Sequence, residues 1–230
     1  MSELIAVFIR HGDYQQLPDT PSAHQPFPLT DTGIAQAGEA ARLVRQMAEQ
    51  YHWQLNPEIH CSNLLRAWQT ADIISRQLDS QFFLSGFDEL AERGMGSAAN
   101  LTLAQIEDIL ATDPRFKKPP VNWKSDSHYR LPLQGAESLL EAGERIAGHV
   151  REQMERLQLK GADRVMQLFV GHGAAFRHAA YHLGVLEFEQ IAKLSMYHAT
   201  PVAMAVVPGQ AWQHVAGEWK VRPGIDHEID

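Results

Sequence analysis

Five side chains in this sequence could do chemistry together: Arg10, His11, Arg66, Glu92 and His172. Arginines hold oxyanions bidentately and stay charged. A neutral imidazole is a nucleophile as well as a base, and it can form a covalent intermediate. Arg10 beside His11 favours that neutral ring, because a nearby positive charge disfavours imidazolium. A carboxyl group such as Glu92 could protonate a leaving oxygen and then activate water. Two arginines, two histidines and a carboxylate make an anion site with a proton donor beside it. Phosphoryl transfer asks for in-line positioning and stabilised charge on the equatorial oxygens, and little else. Neither a metal ion nor a cofactor is required. Gly12 and Gly173 follow the two histidines, and each lets the backbone approach an anion closely.

The elements that must position these groups are legible. "LIAVFI" (residues 4–9) and "VMQLFV" (165–170) read as strands buried on both faces, and each ends at a histidine. "EIHC", "QFFLSGF", "VAMAVV" and part of "WQHVAGEWKV" add strands. Between them lie helical patterns. The first begins after Thr30, Asp31 and Thr32, with Ile34, Ala37, Ala41, Val44 and Ala48 on one face. "SNLLRAWQTADIISRQL" follows, with Ser62 or Asn63 as its N-cap; "LTLAQIEDIL" is capped by Thr102. "ESLLEAGERIAGHVREQMERL" is a long helix and "AAFRHAAYHLGV" a shorter one. The tail "RPGIDHEID" reads as frayed.

Strands alternating with helices, with apolar central strands, predict an α/β fold: a three-layer α/β/α sandwich around a mostly parallel sheet. Ligands of such sheets bind beyond the carboxyl ends of the strands, where these side chains emerge. Residues 1–230 read as a single domain with an irregular insertion around 111–136, marked by Pro114, Pro119, Pro120 and Pro132. A segment of that length is usually functional or mobile. Its Lys117, Lys118, Trp123, Lys124, His128 and Arg130 are either a solvated surface or a lid that reads a ligand.

A net charge of −8 argues against a nucleic-acid or anionic-membrane surface, while leaving room for one concentrated basic pocket. The one cysteine, Cys61, excludes an internal disulfide and fits a reducing compartment. No signal-peptide pattern and no membrane-length apolar run is present, so the expectation is a cytoplasmic protein. A homodimer is compatible with the sequence.

"RHG", "SNLLRAWQTA", "LAERGMG" and "VGHG", in that order on successive strand ends, resemble the histidine phosphatase superfamily, also called phosphoglycerate-mutase-like. The resemblance covers nearly the whole chain. It implies a metal-independent phosphatase that hydrolyses a phosphomonoester through a phosphohistidine on His11. Arg10, Arg66 and His172 would complete the phosphate pocket. Glu92 matches the general acid, since Leu90, Glu92, Arg93 and Gly96 meet the family pattern; Glu89 is the competing assignment. Arg93 and Glu89 are candidate substrate contacts. The implied partner is a small phosphorylated metabolite or a phosphoprotein.

Leu17 and Ala174 stand where many members, and the mutases in particular, carry asparagine, and "RAWQTA" resembles the phosphatase branch. A phosphomutase of the phosphoglycerate mutase type and a non-catalytic phospho-ligand-binding module are the alternatives.

Other reactive side chains have plainer readings. Cys61 and Arg66 are separated by four residues, one short of a cysteine-phosphatase loop, so Cys61 reads as a small apolar residue. His178 and His182 are spaced i, i+4 but lack a third metal ligand, and read as an ordinary helix face. Arg177 reads as structural, or as support for His172.

Overall fold

The structure, a computed structural model, describes residues 3–207 and 209–222. In chain order its elements are β1 (Leu4–Arg10), α1 (Asp31–Tyr51), β2 (Gln54–Leu55), β3 (Glu58–Ser62), α2 (Leu65–Leu78) and β4 (Phe83–Phe87). Then come α3 (Leu103–Thr112), α4 (Leu139–Leu159), β5 (Val165–Gly171) and α5 (Gly173–His182). The last are α6 (Phe188–Ile191), β6 (Leu194–Ser195), β7 (Pro201–Val206), β8 (Gln213–Ala216) and β9 (Lys220–Val221).

The main sheet runs β4-β3-β5-β1-β7-β8, with β2 beside the start of β5. Its first four strands are parallel; β7 runs against them, and β8, antiparallel to β7, returns to their direction. Alternate side chains of a strand face opposite sides. Ile5, Val7 and Ile9 therefore pack with the buried residues of α1 and α2, such as Val44 and Ile74. Leu4, Ala6 and Phe8 pack with α4 and α5, through Ile146, Val150 and Phe176. This is the expected α/β/α sandwich. The β1–β5 register pairs Arg10 with Gly171, which brings the ends of the two central strands level.

Local signals explain most helix starts. Thr30 accepts from the Gly33 N–H, and Thr102 and Ser138 form capping boxes with Gln105 and Glu141. Two expectations need correction. Ile34 is 49% exposed; the buried stripe of α1 includes Gly33 and then runs from Ala37, because in the first turn it is Gly33 that faces inward, against the Asp13 backbone. The N-cap of α2 is Leu64, with no side-chain cap bond; Ser62 belongs to β3, and its hydroxyl takes His172 and the Leu64 N–H rather than an N–H of the helix's first turn.

The insertion around 111–136 carries its own small core. It is irregular but packed. Trp123 is 2% exposed, donates from Nε1 to Glu107 at 3.1 Å, and shares a small core with Ala23, Ile106, Leu110, Leu131 and Ala136. Ser127 ties its far end to His178 and to the Leu140 N–H. Burial of one large indole and its neighbours holds this proline-rich segment in place. The tail from Pro223 onward lies outside the described residues. Among the described residues, no helix is long and apolar enough to cross a membrane.

Candidate active site

The end of β1 is tied down before any ligand arrives. The His11 N–H donates to the Gly171 carbonyl at 2.9 Å. The Gly12 N–H donates to Thr70 Oγ1 at 3.0 Å, and Thr70 donates in turn to the Arg66 carbonyl one helical turn back. The two glycines are also needed for packing. A Cβ on Gly12 would lie 2.5 Å from the Gly33 carbonyl oxygen, and one on Gly173 would lie 2.9 Å from Arg10 Cδ.

His11 is 2% exposed. Its Nδ1 lies 2.7 Å from the Gly12 carbonyl, which can only accept, so Nδ1 carries the proton and Nε2 presents a lone pair. Burial first, then Arg66, His172 and Arg10, hold its pKa well below the ordinary histidine value. The ring is neutral and poised as a nucleophile. Three other rings surround it: His172 at 5.2 Å between centroids, Tyr14 at 5.3 Å and His198 at 5.6 Å.

His172, at the β5 exit, is fully buried. Its Nδ1 accepts from Arg66 Nη2 at 3.1 Å, so Nε2 carries the proton and donates to Ser62 Oγ at 3.0 Å. Burial, Arg66 and His24 keep this ring neutral too.

Arg66 projects from the first turn of α2 and is fully buried. It donates from Nη1 to the Gln25 carbonyl and from Nη2 to the Ala23 carbonyl, and its guanidinium lies 4.5 Å from the Tyr14 ring centroid. Its Nε is buried with no hydrogen-bond partner among the described residues, a donor that an anion would satisfy. Arg10 donates from Nη1 to the Met196 carbonyl, which anchors the loop that carries His198.

Glu92 is 7% exposed, and its charge acts on Arg10, Arg66 and Arg93. Its Oε1 accepts from the Arg93 N–H at 2.8 Å, while its carbonyl accepts from His24 Nε2. Glu89 is exposed instead and lines a separate groove of about 260 Å³ with Phe87, His149 and Arg156. So Arg10, His11, Arg66, Glu92 and His172 come together, and Glu89 does not join them. Arg93 is buried beside Glu92. A cavity of about 340 Å³, lined by Arg10, Gln36, Tyr197, His198 and Lys220, adjoins the centre.

The remaining candidates have other partners. Cys61 is fully buried and its thiol is pushed up to about 12 by burial, so no thiolate forms near neutrality. His178 bonds to Ser127 and to the Ala174 carbonyl, and His182 to Glu144 and to the Leu140 carbonyl. Arg177 donates to the carbonyls of Ile191 and Leu194. Tyr14, His24, Thr70 and His198 were not singled out by sequence. Thr70 sits i+4 from Arg66 and was findable by helical spacing; His198 reaches the site through a loop and had no such signal.

Comparison with known proteins places this arrangement. A profile of the histidine phosphatase superfamily (branch 1) matches residues 6–218. The mitochondrial serine/threonine-protein phosphatase Pgam5 of Drosophila virilis is 25% identical over 203 residues, 88% of this chain; the chain spans only 58% of that relative's length. A 2,3-bisphosphoglycerate-dependent phosphoglycerate mutase 2 of Lactobacillus johnsonii is 27% identical over 212 residues, covering 85% of this chain and 89% of that one. The solved structure of a mycobacterial glucosyl-3-phosphoglycerate phosphatase superposes with a TM-score of 0.68 at 22% identity, covering 95% of this chain and 98% of its own. With the profile running from inside β1 to beyond β8, the chain belongs to the histidine phosphatase superfamily, branch 1.

Proposed function

We propose that the protein hydrolyses phosphomonoesters through a phosphohistidine on His11, without a metal ion. Its enzyme class, phosphoric monoester hydrolase, goes with the family. One observation carries the mechanism: His11 is neutral, with Nδ1 engaged by the Gly12 carbonyl and Nε2 left as the nucleophile beside two arginines and His172.

In the first step His11 Nε2 attacks phosphorus and the ester P–O bond breaks. Glu92 delivers its proton to the leaving alcohol oxygen. In the second step Glu92 takes a proton from water, the water oxygen attacks phosphorus, the P–N bond breaks, and inorganic phosphate leaves. Arg10 and Arg66 bind the phosphoryl oxygens as charge builds on them, and His172 joins them by turning its Nε2–H from Ser62 to the phosphoryl group. A small phosphorylated metabolite suits the 340 Å³ cavity beside the centre, and the neighbour named for glucosyl-3-phosphoglycerate supports the same class. A phosphoprotein substrate is the competing arm, favoured by the Pgam5 likeness.

Chelator-treated protein should hydrolyse p-nitrophenyl phosphate and His11→Ala should not. Undiminished turnover in that variant, or strict dependence on added metal, overturns the proposal. The likeness to a mutase favours a second reading, return of the phosphoryl group to a phosphoglycerate. Labelled transfer, against release of inorganic phosphate, separates the two.

A further inference from the structure

We infer that Arg145, on α4, and Glu137, just before that helix, are positioning residues for Glu92: their ion pair holds both ends of the short loop that carries the proton donor. This role rests on the phosphatase reading above.

After β4 the chain makes one 3-10 turn, Asp88–Leu90, and then passes through Glu92 without regular structure. The Glu92 carboxyl makes a single hydrogen bond among the described residues, from the N–H of its own neighbour Arg93. A bond so local ties the side chain to its backbone and not to the rest of the molecule. The carboxyl therefore lies where the loop backbone puts it. A general acid works only within hydrogen-bond reach of the leaving oxygen, so whatever fixes this backbone fixes the acid.

Arg145 and Glu137 fix it on both sides. Just before Glu92, Arg145 Nη1 donates to the carbonyls of Glu89 at 2.7 Å and Ala91 at 3.2 Å. Arg145 Nε and Nη2 donate to the two carboxylate oxygens of Glu137, at 2.8 and 2.7 Å. Just after Glu92, Glu137 Oε2 accepts from the Gly94 N–H at 2.9 Å, and the Glu137 N–H donates to the Gly94 carbonyl at 2.8 Å. An exposed ion pair contributes little to stability. This one is 24% and 26% exposed and bidentate, a geometry that sets direction as well as distance. Burial pushes the Glu137 carboxyl up, but the bonds from Arg145 and Gly94 outweigh it and hold it below the usual carboxylate range, so the pair stays charged near neutrality. The pair is itself anchored. The Ser138–Glu141 capping box starts α4 directly after Glu137, and the fully buried Leu90 packs with Ala142 and Ile146 of the same helix.

The test compares two leaving groups. p-Nitrophenyl phosphate and phenyl phosphate are alike in shape, but p-nitrophenol is much the stronger acid, and its oxygen leaves with less help from a proton donor. Arg145→Gln should cost kcat/KM about 10²-fold on phenyl phosphate, the order for a misplaced catalytic group, and about tenfold or less on p-nitrophenyl phosphate. Glu137→Gln, a milder change should Arg145→Gln fold poorly, should show the same selective loss. Adding Arg145→Gln to Glu92→Gln should slow phenyl phosphate hydrolysis little beyond Glu92→Gln alone, because the group it places is already gone. Variants that slow both esters equally, or losses that multiply in the double variant, overturn the positioning role and leave the phosphatase reading standing. A wild-type protein that hydrolyses neither ester sinks the phosphatase reading, and this role with it.

Discussion

Arg66 Nη2 donates to His172 Nδ1 at 3.1 Å, and that bond decides which nitrogen of His172 carries the proton. The proton sits on Nε2, where Ser62 holds it. Arg66 therefore does more than supply charge. It orients a neighbouring imidazole, and it fastens the loop after β1 through the carbonyls of Ala23 and Gln25. A lysine ammonium cannot serve all three acceptors in one plane.

Arg66→Lys should therefore lower kcat/KM for p-nitrophenyl phosphate by about 10²–10³-fold, the range for loss of a key oxyanion donor. Ser62→Ala removes only the far end of the relay and should cost about tenfold, one ordinary hydrogen bond. Steady-state kinetics on both variants checks the order. Equal losses would show that the charge of Arg66 matters and its geometry does not.

Acid should unfold this protein early. His60, His178 and His198 are each held near 4, with burial as the first cause, against about 6.5 for an unfolded histidine. A depressed value in the folded state means that the fold favours the neutral ring. That contribution is complete above about 6.5 and is lost as pH falls from there toward 4. His60 and His149 add a constraint, since their 2.9 Å ring-to-ring bond fails when both are protonated. The urea midpoint should drop between pH 7 and pH 5; a level profile would contradict the burial argument.

Cys61 should be silent. With its thiol near 12 and no exposed surface, iodoacetamide at pH 8 should neither label the native protein nor inactivate it. Cys61→Ala should keep its activity and lose about 1–2 kcal/mol of stability, the cost of a small buried cavity. Inactivation by labelling of the folded protein would return the thiol to the mechanism.

Gly33→Ala should be among the most damaging small substitutions. The added Cβ would lie 1.9 Å from the Asp13 carbonyl oxygen, and neither backbone can yield cheaply because Asp13 and Thr30 are joined by hydrogen bonds. About 3 kcal/mol of destabilisation is expected, the upper range for overpacking. Thermal denaturation reads it directly. An unshifted midpoint would mean that the β1 exit and α1 can separate.

Apolar runs and helical periodicity were enough to read the β1 and β5 strands, the helices around them and the three-layer plan, because burial on both faces leaves a period in the sequence. The motif residues at strand ends were legible for the same reason: a parallel sheet sends every strand's carboxyl end to one edge. Ile34 and the N-cap of α2 differ from the reading because local rules do not say which residue of a first turn a distant backbone will press against, or which hydroxyl a distant histidine will claim.

By itself, then, the sequence determined the layered α/β plan and the set Arg10, His11, Arg66, Glu92 and His172. Only the tertiary structure decided their protonation and their company. The Gly12 carbonyl selects the tautomer of His11, Arg66 selects that of His172, and Tyr14 and His198 close around His11 from separate loops. Those contacts join residues far apart in the chain. They follow from packing and from the direction of each donor, neither of which is written in residue order.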